Sequence, residues 1–590
     1  MFKKEQIIKG VSASPGIAIG KAYVISDDVF KVEKRIIKDA DLSEEIKNLE
    51  TALLKTKREI VDIQSKMAKE MGSNYADIFD VQLMLLEDRV LLEEIIERLR
   101  KELLGVEYIF FDVLKKYKRA LEKLNDPYLK ERAQDVNDFG KRVLKNLTGK
   151  DASHIKELRN KAIIVTHDLS PSEAAVLNPE YVLGLVTESG GSTTHTAIMA
   201  KSFEIPAVVG TGSIIMGNIE MDDSLIIDGS RGIIIVNPHQ ATLKEYEAKK
   251  NKVDEKFLNL LKFKDLKSQT KDGVSIKIMA NIELSHEVKS AINHGADGIG
   301  LYRTEYLYLN RSDLPSEEEQ YQAYKLVTLQ MASHIVIIRT LDLGGDKLVS
   351  QLDMSYELNP FLGWRAIRFC LARPAIFKVQ LRAILRASVH GNLQIMFPMI
   401  SSIEEMEEAL KIVDEVMQDL DKEEIPHNKD VKIGAMIETP SVAMTCDHFK
   451  GKADFFSIGT NDLIQYTIAV DRINEKIAYL YDPAHPGVLR LIENIIQKSS
   501  ENNIPVGMCG EMAGETIYLP LLLGLGLRYF SVSPLIIPEL KLVASSLTLD
   551  QAKEIAREVM SFSSREKIRQ YLSLKLKEIL GSDYEELIEV

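Results

Sequence analysis

The second half of this 590-residue chain alternates strand-like and helix-like sequence eight times. After Asp272, short apolar runs are each followed by a stretch with helical periodicity. The predicted strands cover 274–281, 298–303, 335–340, 393–398, 432–438, 455–459, 505–509 and 529–532. Eight strand–helix units over about 300 residues match the length of a (β/α)8 barrel, so the sequence predicts that fold.

Charged and polar residues stand where the predicted strands end. In a barrel of this kind the loops after the strands carry the chemistry. Residues at or just after the strand ends are Arg303, Arg339, Asp342, Lys347, Glu438, Asn461, Asp462, Cys509 and Glu511. Each arginine taken alone is typical of a surface ion pair. Together, at one rim, they indicate a site.

The residue types at this rim indicate an anionic substrate and a metal ion. Arginines, including Arg365 and Arg472 in the intervening loops, bind phosphate or carboxylate through two N–H groups, and Lys347 adds a point charge. Glu438 and Asp462 are hard oxygen ligands of the kind that Mg²⁺ takes. The rim is therefore suited to a small phosphorylated acid with magnesium.

The chain has three widely separated cysteines, so neither a disulfide framework nor a zinc cluster is indicated. Cys370 and Cys446 lie in apolar or helical sequence and are interpreted as structural. Cys509 ends a predicted strand and has two interpretations. It is either a small buried apolar residue or a proton donor to a carbon atom of the substrate.

A second candidate site lies in the first half of the chain, in the sequence GGSTTHTAIMA at 190–200. A predicted strand over 181–187 leads into two glycines, a turn rich in hydroxyl groups and the start of an apolar helix. Such a turn suits an anion at a helix N-terminus, and a neutral histidine there, His195, can act as a nucleophile. The alternative is a polar turn whose histidine caps the next helix.

Composition shifts divide the chain into four parts. Residues 1–25 and 148–240 are predicted to form one α/β domain, with strands that include 162–165, 182–187, 207–209, 225–228 and 232–236. Residues 26–147 have helical periodicity, with predicted helices from Ser43 and over 75–100, 107–124 and 127–147, and are predicted to form an inserted antiparallel bundle. The polar segment 241–264 is predicted to be a linker helix, and 265–590 the barrel.

Charge and hydropathy exclude two classes of partner. The formal net charge of −13 argues against nucleic acid, which recruits Lys and Arg. No apolar run reaches about 18 residues, and the first residues lack the apolar core of a signal peptide. A cytoplasmic protein without membrane insertion is expected.

Several stretches resemble motifs of the phosphoenolpyruvate-utilising enzymes. GGSTTHTAIMAKSFEIPAVVG is similar to their phosphohistidine signature, and DFFSIGTNDLIQYTIAVDR to their second, barrel-borne signature. GLYRTEYLY, IRTLDLGGDK, NPFLGWRAIR, IETPSV and GMCGEMAG match further motifs in the same order. The resemblance covers essentially the whole chain and is to the Enzyme I family of the bacterial phosphoenolpyruvate–sugar phosphotransferase system.

The resemblance implies a role for each site residue. His195 would be the phosphorylated nucleophile and Cys509 the proton donor. Residues that would bind the substrate are Arg303, Arg339, Asn461, Arg472, Lys347 and Arg365, and Glu438 with Asp462 would bind Mg²⁺. The helical insertion would bind the phosphocarrier protein HPr, and the barrel would form a homodimer. Thr194 stands where many relatives carry Ser, a change that keeps the hydroxyl group. Gln82 stands where relatives often carry His, which leaves the detailed HPr contacts open.

One histidine must then react in two places, with phosphoenolpyruvate at the barrel and with HPr at the insertion. A rigid-body swivel of the α/β domain about the segment 238–264 is therefore expected. Three other interpretations share some of these motifs. A dikinase or phosphoenolpyruvate synthase would need an ATP-binding domain, for which no phosphate-binding loop is evident. A non-catalytic regulator would have lost rim residues, and a nitrogen-branch paralogue usually adds an N-terminal sensory domain.

Overall fold

The computed structural model describes most of the chain, which divides into two compact units, Met1–Asp254 and Glu255–Val590. The described residues are 4–25, 32, 34–70, 78–122, 127–148, 160–167, 169, 179–189, 200, 205–212, 215–308, 313–344, 357, 359–472, 474 and 476–587. His195 and Lys347 lie outside them. No helix within these ranges is long and apolar enough to cross a membrane.

The described part of the first unit contains an eight-stranded sheet with parallel and antiparallel pairs. Its strands are β1 Gln6–Lys9, β2 Val11–Ser14, β3 Ile17–Ile25, β4 Ala162–Thr166, β5 Val182–Thr187, β6 Ala207–Val209, β7 Ser224–Asp228 and β8 Ile233–Val236. Their order across the sheet is β1-β8-β7-β3-β4-β5-β6-β2. β5 ends at Thr187, eight residues before His195 in the sequence.

Both faces of this sheet are buried at its central strand β4, which is apolar at nearly every position. Along β4, Ile163 and Val165 pack into one apolar cluster, while Ile164 packs into another. Successive side chains of a strand point to opposite faces, so a strand covered on both sides needs apolar residues at every position.

Helices follow β3 in the first unit, as the periodicity predicts. Their bounds are Leu42–Glu70, Ile78–Leu86, Arg89–Glu102, Val106–Glu122 and Pro127–Thr148, followed later by Ile215–Asn218. The prediction of a single helix over 75–100 is wrong at one point, because one helix ends at Leu86 and the next begins at Arg89, after Asp88. The Asp88 carboxylate accepts the backbone N–H groups of Val90 and Leu91 at 2.9 and 3.2 Å and caps a new helix.

The second unit contains a closed barrel of parallel strands. The strands are β9 Lys277–Ile282, β10 Gly298–Arg303, β11 Ile335–Arg339, β12 Leu393–Phe397, β13 Lys432–Ile437, β14 Phe455–Ile458, β15 Val506–Met508 and β16 Tyr529–Val532. Neighbours in sequence are neighbours in the barrel, and β16 closes it by pairing with β9. Each strand overlaps a predicted one. The predicted fold class, multidomain α/β with a C-terminal (β/α)8 barrel, is confirmed.

Helices connect the barrel strands, and the helix Gln240–Leu261 includes the boundary between the two units. The helices of the second unit are Val288–Asn293, Glu317–Met331, Ala366–Ala372, Pro374–Ala387, Ile403–Lys422, Pro440–Thr445, Thr460–Ile468, Pro486–Glu501, Leu519–Leu525, Ile537–Ser546, Leu549–Ser561, Arg565–Leu580 and Ser582–Leu587.

The strand alternation explains how charged residues reach the barrel mouth. A small apolar cluster occupies the barrel interior, and its buried members are Leu301, Ile337, Met396, Met436, Phe455 and Cys509. Arg303, Arg339 and Glu438 each lie two residues after a member of this cluster. They therefore share its inward face, one layer closer to the carboxyl ends of the strands.

Candidate active site

Two arginines end neighbouring strands at the mouth of the barrel. Arg303 ends β10 and Arg339 ends β11, and the two residues are partners in the register of this strand pair. Arg303 Nη1 donates to Glu283 Oε1 at 2.6 Å, and 32% of the Arg303 side chain stays exposed. A ligand at the mouth can therefore reach Arg303.

Arg339 begins a series of buried ion pairs along the rim. Its Nη2 donates to Glu305 Oε1 at 2.9 Å, and its Nη1 lies 2.9 Å from Asp342 Oδ2. Arg365 Nη2 lies 2.7 Å from Asp342 Oδ1 and 3.3 Å from Asp462 Oδ2. Arg365 therefore joins the loop after β11 to the loop after β14.

The series ends at Arg472, whose Nη2 lies 4.0 Å from Asp462 Oδ1. We call the whole set the rim ion chain; its members are Glu305, Arg339, Asp342, Arg365, Asp462 and Arg472. All except Arg472 expose 12% of the side chain or less. Positive and negative groups alternate along it, so each charge has an opposite neighbour where water is scarce.

The ionisation of these groups follows from their neighbours. Burial lowers the pKa of the Arg339 guanidinium, but the carboxylates of Glu305 and Asp342 outweigh it, and the pKa is raised. Burial raises the pKa of Asp342, but Arg339 and Arg365 outweigh it, and the pKa is lowered. Arg339, Asp342 and Arg365 therefore hold one another in the charged form.

Some polar atoms of the rim ion chain have no hydrogen-bond partner among the described residues. They are Arg339 Nε, Arg365 Nη1, Arg472 Nη1, Glu305 Oε2 and Asp462 Oδ1, and all are buried. Buried polar atoms are normally satisfied, so these atoms are available to ligand atoms. Guanidinium N–H groups suit phosphate and carboxylate oxygens, whereas a carboxylate oxygen suits a cation.

Glu438 and Asp462, the predicted metal ligands, have the environment that a cation site requires. Glu438 is 2% exposed, and its Oε1 accepts the backbone N–H of Met399 at 2.5 Å. A Cβ atom on Gly459 would lie 2.6 Å from Glu438 Oε2, so glycine leaves room for this oxygen. Burial, with repulsion from Asp462 and Asp342, raises the pKa of Glu438 to about 8. A cation between the carboxylates would relieve that repulsion.

No cluster of three or more His, Cys, Asp or Glu side chains suited to a metal occurs in the described ranges. Magnesium does not require one, since it usually takes one or two carboxylates and completes its shell with water and substrate oxygens. The all-oxygen pair of Glu438 and Asp462 therefore fits magnesium better than a metal held by a protein cage.

Cys509 lies in the apolar interior of the barrel, 3% exposed. Its Sγ is 3.8 Å from the carbonyl oxygen of Ile458. Burial raises the pKa of the thiol, although a hydrogen bond with Ser457 and the charge of Arg339 act in the opposite direction. At neutral pH the group is therefore a protonated thiol, which can serve as an acid.

The loops after β14 and β15 are joined through Asn461. Its Nδ2 donates to Glu511 Oε1, and its Oδ1 accepts the Glu511 backbone N–H, both at 2.9 Å. Tyr481 donates its hydroxyl to the Asn461 carbonyl oxygen at 3.2 Å. A Cβ atom on Gly510 would lie 1.9 Å from Thr460 Oγ1, so the two loops approach closely only with glycine there.

Most of the residues predicted from sequence therefore lie at one rim. They are Arg303, Arg339, Arg365, Glu438, Asn461, Asp462 and Arg472, whereas Cys509 lies deeper, in the apolar cluster of the barrel interior. His195 and Lys347 lie outside the described residues. Cys370 and Cys446 are buried, as expected for structural cysteines.

Sequence reasoning did not identify Glu305 and Glu283 as part of the site. Each holds one of the two strand-end arginines. A signal for Glu305 was present, because it lies two residues after Arg303, at the carboxyl end of a barrel strand. Its partner Arg339 is 34 positions away in sequence, and no spacing rule pairs them.

Family models and curated relatives match almost the whole chain. Three models match in succession, namely PEP-utilising enzyme, N-terminal, at residues 9–132; mobile domain at 158–232; and PEP-binding domain at 259–549. The phosphoenolpyruvate-protein phosphotransferase of Staphylococcus carnosus is 42% identical over 95% of this chain and 97% of its own length. That of Bacillus subtilis is 42% identical over 95% of this chain and 98% of its own.

A solved structure described as "NMR solution structure of Enzyme I (nEIt) protein using two 4D-spectra" is 40% identical to part of this chain. It covers 42% of this chain and 99% of its own, with a TM-score of 0.34. The matches to curated relatives extend over nearly the full length of both partners. The chain belongs to the phosphoenolpyruvate-utilising enzyme family and, within it, to the phosphoenolpyruvate-protein phosphotransferases.

Proposed function

We propose that this protein transfers the phosphoryl group of phosphoenolpyruvate to its own His195 and releases pyruvate. It then passes the group to a histidine of the phosphocarrier protein HPr, as the first step of sugar uptake by the phosphotransferase system. Family membership supports phosphoenolpyruvate as the substrate. The observation that carries the proposal is the set of unsatisfied guanidinium N–H groups at the rim, which match a multiply anionic ligand.

Arg303 and Arg339 would hold the phosphoryl group. Both end neighbouring strands, and each has part of its guanidinium free of its carboxylate partner. Asn461 and Arg472, with Arg365 and Lys347, would hold the rest of the substrate. The transition state of phosphoryl transfer is loose, so positioning and electrostatic stabilisation supply most of the catalysis.

Glu438 and Asp462 would hold Mg²⁺ together with substrate oxygens. Two features fit that role: Asp462 Oδ1 is buried with no hydrogen-bond partner among the described residues, and burial with repulsion from Asp462 raises the pKa of Glu438. When bound, magnesium would act as a Lewis acid on the substrate oxygens. The two carboxylates would hold the ion, and the nearby guanidinium groups of Arg339 and Arg365 offset part of the carboxylate charge.

His195 would form a bond from an imidazole nitrogen to phosphorus while the bond from phosphorus to the enol oxygen breaks. The methylene carbon of the enolate then takes the proton of Cys509, which yields pyruvate and a thiolate. Burial keeps the thiol protonated at neutral pH, and the charge of Arg339 stabilises the thiolate that forms.

The helical segment 26–147 would bind HPr, and the barrel, 265–590, would form a homodimer. Because His195 must react at the barrel and again with HPr, we expect the α/β domain to move as a rigid body about the segment 238–264. A cross-link that fixed this domain to the barrel would block transfer to HPr. Full-rate transfer in the cross-linked protein would contradict the movement.

The first test is the intact mass of the protein after brief mixing with phosphoenolpyruvate and Mg²⁺, without ATP. One acid-labile phosphoryl group on the wild type and none on His195→Ala is expected. Labelling of His195→Ala would reject the nucleophile. A wild type that stayed unlabelled without ATP would reject the phosphotransferase and favour a dikinase.

A further inference from the structure

A fully buried glutamine lies behind the two strand-end arginines. Gln380 is on the helix Pro374–Ala387 and is 1% exposed. Its Oε1 accepts the backbone N–H of Leu341 at 2.9 Å, and its Nε2 donates to Thr304 Oγ1 at 3.0 Å. Thr304, itself fully buried, donates its hydroxyl to the carbonyl oxygen of Arg339 at 2.9 Å.

These bonds connect the backbone just after the end of β10 to the backbone at and just after the end of β11. Thr304 directly follows Arg303, and Leu341 lies two residues after Arg339. The ladder between β10 and β11 ends at the pair Arg303–Arg339. Beyond that pair, the Thr304 hydroxyl and the Gln380 amide connect the two backbones in place of ladder hydrogen bonds.

The direction of every bond in this connection is fixed. The Leu341 N–H can only donate, so the amide oxygen of Gln380 must face it and the amide nitrogen must face Thr304. Thr304 accepts that bond and is left to donate to the Arg339 carbonyl. A second arm leads away from the site, where Gln380 Nε2 donates to the Tyr324 hydroxyl at 3.3 Å and Tyr324 donates to Gln320 at 3.1 Å.

We propose that Gln380 is a positioning residue that, through Thr304, sets the spacing of Arg303 and Arg339 around the transferred phosphoryl group. The inference rests on the proposed function of these two arginines. Gln380 is buried and does not contact the substrate itself. It acts by fixing the backbone on which both guanidinium groups are mounted.

The test compares variants that remove the hydrogen bonds between Gln380, Thr304 and the two backbones with variants that keep those bonds. Gln380→Met and Thr304→Val remove the link between the two backbones with little change of shape. Thr304→Ser keeps the hydroxyl. Tyr324→Phe removes a buried hydroxyl from the same glutamine but leaves both inner bonds in place, so it is the matched control. The readouts are kcat, KM for phosphoenolpyruvate and the melting temperature.

We expect Gln380→Met and Thr304→Val each to lower kcat/KM by about 10- to 100-fold, the scale expected when reacting groups are misplaced by about 1 Å. The double variant should lose no more than the worse single variant, because both cut one connection. Thr304→Ser should keep wild-type kcat/KM. Tyr324→Phe should lower the melting temperature only.

Wild-type kcat and KM in Gln380→Met and Thr304→Val, with the same loss of melting temperature as Tyr324→Phe, would overturn the inference and leave the proposed function standing. Equal kinetic loss in Thr304→Ser and Thr304→Val would overturn the hydroxyl link. If Gln380→Met fails to fold, the Thr304 pair still decides the question. An unlabelled wild type would overturn both the function and the inference.

Discussion

The second unit contains two networks of arginines and carboxylates that differ in burial and completeness. The first is the rim ion chain. The second, the helix ion network, lies on the helices that flank β11 and β12; its members are Glu317, Glu318, Arg382, Arg386 and Glu423. In it, Arg382 and Arg386 donate to three carboxylates at 2.6–3.0 Å.

In the helix ion network the carboxylates expose 25–60% of their side chains. Each guanidinium is occupied by its partners, and Arg386 also lies over the Tyr321 ring at 4.2 Å. In the rim ion chain the groups are buried, yet several atoms lack partners among the described residues. A buried network left incomplete is costly for stability, so it indicates a ligand site, whereas the complete exposed network indicates a structural role.

The largest expected difference concerns Arg339 and Arg382. Arg339→Lys keeps the charge but loses the planar fork, so we expect phosphoryl transfer from phosphoenolpyruvate to fall by about 100- to 1000-fold, as when one preorganised donor is lost. Arg382→Lys, the same change in the helix ion network, should leave transfer unchanged. Single-turnover labelling with phosphoenolpyruvate measures both. Equal phosphoryl-transfer rates in Arg339→Lys and Arg382→Lys would contradict the assignment of a ligand site to one network and a structural role to the other.

A second comparison separates two aspartates within the rim ion chain. Asp462 is a proposed metal ligand, whereas Asp342 is saturated by Arg339 and Arg365. Asp462→Asn should weaken binding of Mn²⁺, used as a probe of the magnesium site, by more than about tenfold, the lower range for loss of even an outer-shell partner. Asp342→Asn should bind Mn²⁺ better than Asp462→Asn does. Electron paramagnetic resonance titration without substrate measures this, and the reverse order would reject Asp462 as a ligand.

A smaller effect is expected from breaking the helix ion network. Arg382→Met should lower the free energy of unfolding by about 1 kcal/mol or less, because exposed ion pairs contribute little. Phosphoryl transfer should not change. Denaturant unfolding of the two proteins measures the difference, and a loss several times larger would show that this network supports the barrel as strongly as a buried one.

The smallest expected effect is the pH dependence of the difference in unfolding free energy between wild type and Arg382→Met. A side-chain hydrogen bond with Arg382 lowers the pKa of Glu423. Carboxylates whose pKa is lowered on folding stabilise the protein above their unfolded pKa, and this contribution is lost as pH falls through the lowered value. The stability difference between wild type and Arg382→Met should therefore shrink in acid. A difference that stayed constant would reject the ionic origin.

The fold was predictable because each strand of the barrel has a local signal. Apolar runs and helical periodicity located all the barrel strands, with ends shifted by a few residues at most, as at 274–281, where β9 begins at Lys277. The break at Asp88 was missed because apolar periodicity continues across it, while a cap depends on one side chain reaching back to the backbone.

The site was predictable in its members but not in their connections. Strand ends identified Arg303, Arg339 and Glu438, since alternation and barrel geometry act over a few residues. The contact of Arg365 with Asp462 joins positions 97 apart, and Gln380 reaches Thr304 across 76. No periodicity relates such positions, so these pairings required the folded chain.

Closure of the barrel joins the first and last of its strands, with Lys277 opposite Tyr529. The sheet of the first unit is complete once Val236 has been made. During synthesis, the first unit can thus fold while the second is still being translated, whereas β9 must wait for almost the whole remaining chain. Until then the nascent barrel presents open strand edges, which favour wrong pairing. We therefore expect slow ribosomal release or a shortage of chaperones to lower the folding yield of the barrel more than that of the first unit.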